Sequence, residues 1–456
     1  TQCMSPPLAA VPSERFWWCS DCKARRGGRW GRAGRVGERA SPPLEVGPFH
    51  VFRGCKGDSE GEEWWHPPKA CLAEYALLPK VPRARYLGLY YGPGQAFASC
   101  TAELCNVGRR AYYALLPKLD ACSIWAPALR VQCFDTQVRA VLSYGAEIWG
   151  PDKLVELLRI SEGCPTGRVL KESLFDLAVK DPAVKLQWEF LKRCVGAKTP
   201  PRLCVFRELR RWPLQHFWLS AACLFWNRLV KGRGKPSGAA YYDVFRYDWQ
   251  LAQHAGFRFA DLWVAKMLLV LGALKYEWEP GKPQCEQLID VRAVLRAFEE
   301  RLSVAWEPLV VEGRVEPREH VGGGLTLCVY LGWMGVPTGA EDCPVRYQRL
   351  QMPLGHVRAL LRFRACAWPL EMYRSNGRTR AERICRVCGC GQVEDEKHVV
   401  FECSAYAELR AASGLSFDSN GDAGEQMLSF MRESDPRKLG AFLFAVFEQR
   451  IAELRA

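Results

Sequence analysis

The chain has 456 residues, of which 48% are hydrophobic and 25% are charged, a composition that excludes an intrinsically disordered protein and predicts two or three domains with a real core. Its 63 basic residues outnumber its 50 acidic residues, and the net charge of +13 suits an anionic partner such as nucleic acid without requiring one. The most apolar window, residues 259–274, contains Asp261 and Lys266 and is too short to cross a bilayer, so no membrane partner is expected.

The cysteines indicate a reducing compartment. Twenty-one of them are scattered through the chain, many singly within apolar stretches, as at Cys223. An odd number placed in this way is typical of reduced, buried thiols. No segment has the order of a signal peptide, and we therefore expect an intracellular protein, nuclear or cytoplasmic.

Residues 1–83 form the first predicted segment, a poorly ordered one. Pro-Pro pairs at Pro6, Pro42 and Pro67 break any helix, and residues 23–39 are basic and rich in glycine. Cys19 and Cys22 form a lone Cys-x2-Cys with no second pair, which leaves open whether they bind a metal.

The pattern becomes regular from residue 84. Residues 85–92 predict a short strand or hairpin, and an amphipathic helix follows that ends before Ser143, with apolar residues at Val131, Phe134, Val138, Val141 and Leu142. Two later stripes at helical spacing predict buried helix faces: Phe217, Ala221, Leu224, Phe225 and Leu229 behind Pro213, and Trp263, Met267, Val270, Leu271 and Leu274. Residues 232–238 predict a flexible joint, and residues 279–283, 308–324 and 337–344 predict loops.

A basic helix is predicted near residues 354–364. His356, Arg358 and Arg362 occupy neighbouring helical positions with Arg364 close by, and the other side is apolar. Such a stripe can lie along phosphates, and arginine suits phosphate better than lysine does. A solvated helix face paired with local acids is the alternative, and the sequence leaves both open. Arg383 and Arg386 extend the same basic surface toward the next motif.

That motif is Cys-x2-Cys-x9-His-x4-Cys, formed by Cys385, Cys388, His398 and Cys403. Two cysteines in a tight turn and a His and Cys about one helical turn apart close a tetrahedron of three sulfurs and one nitrogen, which suits zinc. Cys390 is an alternate ligand, and a chance clustering in a cysteine-rich chain is the other alternative.

The residues between the ligands support a zinc knuckle, a turn followed by a short helix. Gly389 and Gly391 stand where the chain must fold back. Residues 394–396 are acidic and precede His398 as in a helix N-terminus, and we expect them on the surface or in a turn. A last amphipathic helix is predicted over residues 435–455, with Pro436 near its start and its apolar side packed onto the zinc region.

Several segments together resemble the C-terminal part of the reverse transcriptase of non-LTR retrotransposons. They are Tyr86-Leu87-Gly88, residues 141–150 with their Tyr-Gly-x-Glu-x-Trp-Gly core, residues 190–196, Pro213-Leu214 with residues 226–229, residues 354–364, and the metal motif followed by Tyr406 and Arg410. Their order and approximate spacing are similar to that family over residues 84–452. The resemblance implies a thumb, a linker and a zinc knuckle, the part downstream of the polymerase palm.

We therefore predict a mainly α protein with four segments: the poorly ordered residues 1–83, a thumb-like helical domain at 84–235, a helical linker domain at 236–352, and the basic helix, zinc knuckle and C-terminal helix at 353–456. In the thumb-like domain, Arg109, Arg110, Lys118 and Arg130 are expected to contact a nucleic-acid backbone without reading bases. The implied cofactor is zinc, and the implied partner is RNA or DNA.

The expected function is nucleic-acid binding by a fragment of a retrotransposon-derived RNA-directed DNA polymerase. Such a polymerase holds two Mg²⁺ ions with adjacent aspartates, and this sequence contains no Asp-Asp pair, so polymerase activity is not expected of this chain alone. The alternative is a helical zinc-binding module that serves structure or protein contact.

Overall fold

The computed structural model describes residues 84–86, 89–91, 97–162, 173–235, 237–254, 262–303, 309–311, 314–316, 346–373, 379–417 and 423–455. These residues form a mainly α structure, as the sequence predicts. The predictions for residues 1–83, including the poor order and the pair Cys19 and Cys22, lie outside the described residues.

Two antiparallel hairpins accompany the helices. Strand β1 (Ala84–Tyr86) pairs with β2 (Leu89–Tyr91), which confirms the predicted hairpin, and β3 (Leu309–Val311) pairs with β4 (Arg314–Glu316) inside a segment that was predicted to be loop. The α-helices, in chain order, are α1 (Ala98–Ala121), α2 (Pro127–Phe134), α3 (Ala140–Leu142), α4 (Ala146–Glu162), α5 (Leu174–Ala178), α6 (Pro182–Val195), α7 (Arg202–Glu208), α8 (Leu214–Lys231), α9 (Ala239–His254), α10 (Trp263–Ala273), α11 (Val291–Ser303), α12 (Leu354–Arg364), α13 (Ala407–Ala412), α14 (Ala423–Glu433) and α15 (Pro436–Glu453).

The amphipathic helix predicted before Ser143 is confirmed, although it is not uniform. A π-helical turn at Asp135–Arg139 joins α2 to α3. Val131, Phe134 and Val138 are buried at 2% exposure or less, and Phe134 stacks on Phe190 of α6 with ring centroids 4.7 Å apart. This contact joins α2, which carries the predicted residue Arg130, to α6.

Helix α6 owes its length to signals at both ends. Pro182 is at its first turn, and the Asp181 carboxylate accepts a hydrogen bond from the Ala183 N–H at 2.8 Å, as an N-cap does. Gly196 ends the helix with φ of 70°, a left-handed conformation that favours glycine. Lys192 and Arg193 occupy the last turn, where cations interact favourably with the helix dipole.

Aromatic residues hold α8 against α4. Trp149 and Trp218 meet edge to face with centroids 4.8 Å apart, and the Trp218 indole N–H donates to the Ser143 hydroxyl at 3.0 Å. Helix α10 packs on α4 as well, where the Trp263 indole donates to the Glu147 carbonyl at 2.8 Å. The apolar face predicted for α10 is buried from Met267 to Leu274.

The buried face of α8 is not the predicted one. Its buried residues are Leu214, Gln215, Trp218, Leu219, Ala222, Cys223, Trp226 and Val230. From the predicted stripe, Leu224 is 54% exposed and Phe217 is 37% exposed, and none of its residues is fully buried. The prediction that this stripe is core is therefore wrong.

Helix α12 packs against α15 and against the end of α6. A buried network also ties it to α7: the Arg364 Nε lies 2.7 Å from a Glu208 carboxylate oxygen, and the Tyr347 hydroxyl donates to the same oxygen at 2.6 Å. One buried core runs through helices from all three predicted domains after residue 83, and the domain boundaries at 235 and 352 stay predictions. None of the helices in the described part combines the length and the apolar character that a membrane span needs.

Candidate metal centre and its basic surroundings

The four predicted metal ligands lie together. One ligand atom from each of Cys385, Cys388, His398 and Cys403 can be chosen so that all four lie within 4.8 Å of one another. The Cys388 Sγ is 3.4 Å from the His398 Nε2. A tetrahedral zinc ion, with bonds of about 2.3 Å to sulfur and 2.0–2.1 Å to nitrogen, holds such a pair roughly 3.6 Å apart. The arrangement therefore fits the ion that the motif predicts.

A tight hairpin presents the first two cysteines. Ile384 pairs with Val393 in an antiparallel bridge, and the Cys385 N–H donates to the Gln392 carbonyl at 2.8 Å. Gly389 and Gly391 both have left-handed backbones, with φ of 64° and 79°, which confirms that the chain folds back at these glycines.

The last two ligands come from a π-helical turn, His398–Glu402, where a short α-helix was predicted. The Cys403 N–H donates to the His398 carbonyl at 2.7 Å, five residues back. The wider π turn places residues five apart on nearly the same side of the backbone. His398 and Cys403 are five residues apart, so the π turn brings their side chains to the same side.

Gln392 orients the histidine, a role that the sequence did not predict. Its side-chain oxygen lies 2.8 Å from the His398 Nδ1, so Nδ1 carries the proton and donates it. The Nε2 lone pair then faces the three sulfurs, as metal-binding histidines require. The only signal in the sequence is a polar residue directly after the second glycine of the turn.

The sulfur atoms are close enough to disturb one another electrostatically. A hydrogen bond from Cys403 lowers the pKa of the Cys385 thiol, and the same pairing, followed by burial, raises the pKa of Cys403. Two thiols that share one proton form a site that a divalent cation stabilises by replacing that proton. Three sulfurs and one nitrogen thus supply the four donors of a tetrahedral metal site.

Cys390, the alternate ligand, lies at the edge of this group. Its Sγ is 3.1 Å from the Cys388 Sγ and 3.9 Å from the His398 Nε2, and the residue is exposed. The four-membered cluster is formed without it.

Two of the three acidic residues before His398 do not lie on the surface, which corrects the prediction for them. Glu394 and Glu396 are fully buried. The Arg450 guanidinium of α15 donates twice to the Glu394 carboxylate, at 2.7 and 2.8 Å, and the Tyr373 hydroxyl donates to Glu396 at 2.5 Å. These bonds fasten the metal hairpin to α15, which confirms that the last helix packs on the zinc region.

Two predicted nucleic-acid residues belong to the interior of the fold. Arg364 is 6% exposed and is paired with Glu208. Arg362 is half-buried, and its guanidinium donates to the carbonyls of Val195 and Gly196. The prediction that Arg364 contacts phosphates is corrected, because this side chain is buried and its donors serve Glu208. A phosphate contact of Arg362 stays a prediction.

Other predicted residues are accessible to different degrees. Arg109, Arg110 and Lys118 are exposed on α1, although Arg110 lies 4.0 Å from Glu103. Arg386 is exposed beside the metal hairpin. Arg383 is partly buried and donates to the Met372 carbonyl at 2.5 Å, and His356 is partly buried against Phe444, with ring centroids 5.4 Å apart.

Arg358 forms a cluster with Arg130 and with Arg193, a residue that was not predicted as a site. We call Arg130, Arg193 and Arg358 the arginine cluster. Burial and then the charge of Arg130 lower the pKa of Arg358, Asp120 partly opposes this shift, and Arg193 lowers the pKa further. Arg130 is 5% exposed, donates to the Ile124 carbonyl at 3.0 Å and pairs with Asp120 at 3.3 Å. The prediction that Arg130 contacts a nucleic-acid backbone is therefore corrected, and this residue adds only its charge to the cluster. Arg193 is exposed in the last turn of α6.

The Arg358 side chain packs closely against the end of α6. Its Nε is buried and has no hydrogen-bond partner in the described part of the protein, and the same is true of the Arg130 Nε. A Cβ built on Gly196 would lie 2.8 Å from the Arg358 Nε, which shows how closely the guanidinium approaches the end of α6. No protein-family model matches this chain, and comparison with curated proteins and with solved structures finds no match.

Proposed function

We propose that this protein binds the phosphate backbone of nucleic acid at the arginine cluster, and that zinc at Cys385, Cys388, His398 and Cys403 holds together the part of the fold that presents Arg358. The observation that carries the proposal is the half-buried guanidinium of Arg358. It stands beside two other arginines, and the nearest carboxylate that acts on it, Asp120, is already paired with Arg130.

The charges of the cluster are not balanced from within the described structure. Asp120 pairs with Arg130, and its side chain is itself 51% exposed. The carbonyls at the end of α6, which would otherwise attract Arg358, accept hydrogen bonds from Arg362. A phosphate group supplies the negative charge that this arrangement lacks.

The zinc centre has a supporting part in this proposal. When bound, zinc cross-links the hairpin at Cys385 to the π turn at His398. The hairpin is fastened to α15 through Glu394 and Arg450, and α15 packs on α12, which carries Arg358. The ion thereby stabilises the arginine position without touching the ligand.

The resemblance to the downstream part of a retrotransposon reverse transcriptase points to template RNA or target DNA as the partner. The arginines are suited to phosphates, which both nucleic acids share. Exposed Arg109, Arg110 and Lys118 on α1 widen the basic surface in this proposal. Copying is not proposed, because the chain carries no adjacent aspartates for a metal pair.

A salt titration tests the proposal. Affinity for a short RNA or DNA duplex, measured by fluorescence anisotropy at several salt concentrations, should fall steeply as salt rises. Arg358→Ala should weaken binding about tenfold, as expected for a charged hydrogen bond, and reduce the log–log salt slope by about 1. The affinity of Arg358→Lys should lie between those of Arg358→Ala and the unaltered protein, because lysine keeps the charge and loses the planar guanidinium.

The matched control is Arg432→Ala, which removes an exposed arginine from α14, and its affinity and slope should match those of the unaltered protein. Equal effects of Arg358→Ala and Arg432→Ala would refute the arginine cluster as the site. Absence of binding at low salt would refute nucleic-acid binding altogether.

A structural or protein-contact module is the second candidate. The observation that favours it is the burial of Glu394, Glu396 and Arg450 against the metal hairpin, which makes the hairpin part of the core. Under this candidate, zinc removal lowers stability and no duplex binds at low salt.

A further inference from the structure

A groove lies on the side of α8 that the sequence predicts to be core. It encloses about 760 Å³ between the second half of α8, the turn that follows and the first turn of α9. Leu224, Phe225 and Leu229 supply its apolar surface. Leu224 is 54% exposed. Adjacent apolar side chains that face an open groove are unusual on a protein surface and indicate a binding site.

The rim of the groove is positively charged. Arg228, Lys231 and Lys235 line it, and all three are exposed. None of the described residues that line the groove is acidic, and the first turn of α9 carries no acidic side chain. The nearby Arg233 is compensated, because it pairs with Glu286 at 2.6 Å. The groove therefore favours an anionic occupant.

Tyrosine rings stand beside these charges. Tyr241 lines the groove and is 70% exposed, and along the same helix Val244 and Tyr247 are 63% and 60% exposed. Within the groove, the Arg228 guanidinium lies 5.7 Å from the centre of the Phe225 ring. Exposed aromatic rings next to cations are the combination that holds single strands, since bases stack on the rings while phosphates meet the charges.

We propose that the groove between α8 and α9 binds a single-stranded stretch of nucleic acid, with a base stacked on Tyr241 and phosphates held by Lys231 and Lys235. This inference rests on the proposed function and adds a second contact to it. In a duplex the base faces are stacked on neighbouring base pairs, so they are not available to stack on Tyr241. An apolar helix of a protein partner would leave three cations without a counter-charge.

The test compares a 12-nucleotide oligo-dT with a blunt duplex of the same length, each labelled and titrated into the full chain. Tyr241→Ala should weaken oligo-dT binding roughly 5- to 100-fold, as loss of one stacked base does, and leave duplex affinity within about twofold. Lys231→Ala/Lys235→Ala should reduce the oligo-dT salt slope by about 1.4, from about 0.7 for each phosphate of a single strand.

Two controls match these variants. Leu269→Ala removes an exposed apolar side chain from α10, and Lys185→Ala removes an exposed lysine from α6; neither should change oligo-dT binding. Tyr241 and both lysines are exposed, and circular dichroism should show unchanged helix content in their variants.

The outcomes separate the two proposals. If the groove variants bind oligo-dT as the unaltered protein does while Arg358→Ala still weakens duplex binding, the groove proposal is refuted and the proposed function stands. If neither nucleic acid binds at low salt, both are refuted. Binding of an acidic amphipathic peptide that depends on Tyr241, without any effect on oligo-dT, would refute the groove proposal in favour of a protein partner.

Discussion

Replacing Arg450 with methionine should destabilise the protein strongly, because it strands a buried carboxylate. Arg450 and Glu394 have side chains that are 1% and 0% exposed, and two hydrogen bonds of 2.7 and 2.8 Å join them. Removing one partner of such a pair costs roughly 3–5 kcal/mol. The remaining donor to Glu394, the Glu371 backbone N–H at 2.8 Å, offsets only part of the lost charge.

Urea unfolding followed by tryptophan fluorescence measures this loss directly. Arg437→Met is the matched control, since it makes the same replacement at an exposed position in the first turn of α15 and should change the free energy of unfolding by less than about 0.5 kcal/mol. The double variant Glu394→Gln/Arg450→Met should recover part of the deficit, because its amide carries no charge to strand.

A deficit below about 1 kcal/mol for Arg450→Met would refute this reasoning. It would show that water reaches Glu394 when the arginine is absent, and that the ion pair does not fasten the metal hairpin to α15. A double variant no more stable than Arg450→Met would equally contradict the argument from stranded charge.

Two further predictions concern the metal hairpin and the cap of α15. The protein should contain about one zinc per chain. Gln392→Ala should lower zinc affinity about 10- to 100-fold in chelator competition, because Gln392 orients His398. Gln392→Glu keeps the acceptor and should keep the zinc affinity, and a Gln392→Ala variant with unchanged zinc affinity would contradict the role. A hydrogen bond from the backbone N–H of Lys438 lowers the pKa of Asp435. The Asp435 carboxylate therefore stabilises the folded protein fully above the ordinary aspartate pKa of about 3.9, and this stabilisation is lost as the pH falls through the lower pKa of the folded state. Asp435→Asn should therefore have a lower Tm than the unaltered protein at pH 7, and the gap should narrow below about pH 4; a gap independent of pH would contradict the prediction.

The four metal ligands could be predicted from the sequence because they lie within 19 residues of one another along it. A hairpin at Gly389 and Gly391 and one turn of helix bring them together by local geometry alone. Gln392 is as close in sequence, but its contact with His398 depends on a rotamer that no spacing rule gives.

The arginine assignments were harder to predict, since one helix carries three arginines with different neighbours. Arg364 meets Glu208, 156 residues away in sequence, and Arg362 meets the end of α6. Arg358 has neither partner. Helical spacing places all three on a basic helix, and only the packing of α6 and α7 distinguishes them.

The buried face of helix α8 could not be predicted from the sequence either. Its sequence is apolar on most faces, so periodicity predicts a helix but does not say which face is buried. Contacts with α4 and α11 bury Trp218, Trp226 and their neighbours, and the face at Leu224 is left open beside Tyr241.

The sequence by itself determined the helical class, the start of α15 near Pro436, and the metal ligands, because each depends on residues a few turns apart in one segment. The tertiary structure alone decided which arginines keep free donors and which apolar stripe faces water. Those outcomes depend on which residue, distant in sequence, contacts each side chain in the folded protein, as Glu208 contacts Arg364. A local sequence pattern carries no information about such partners.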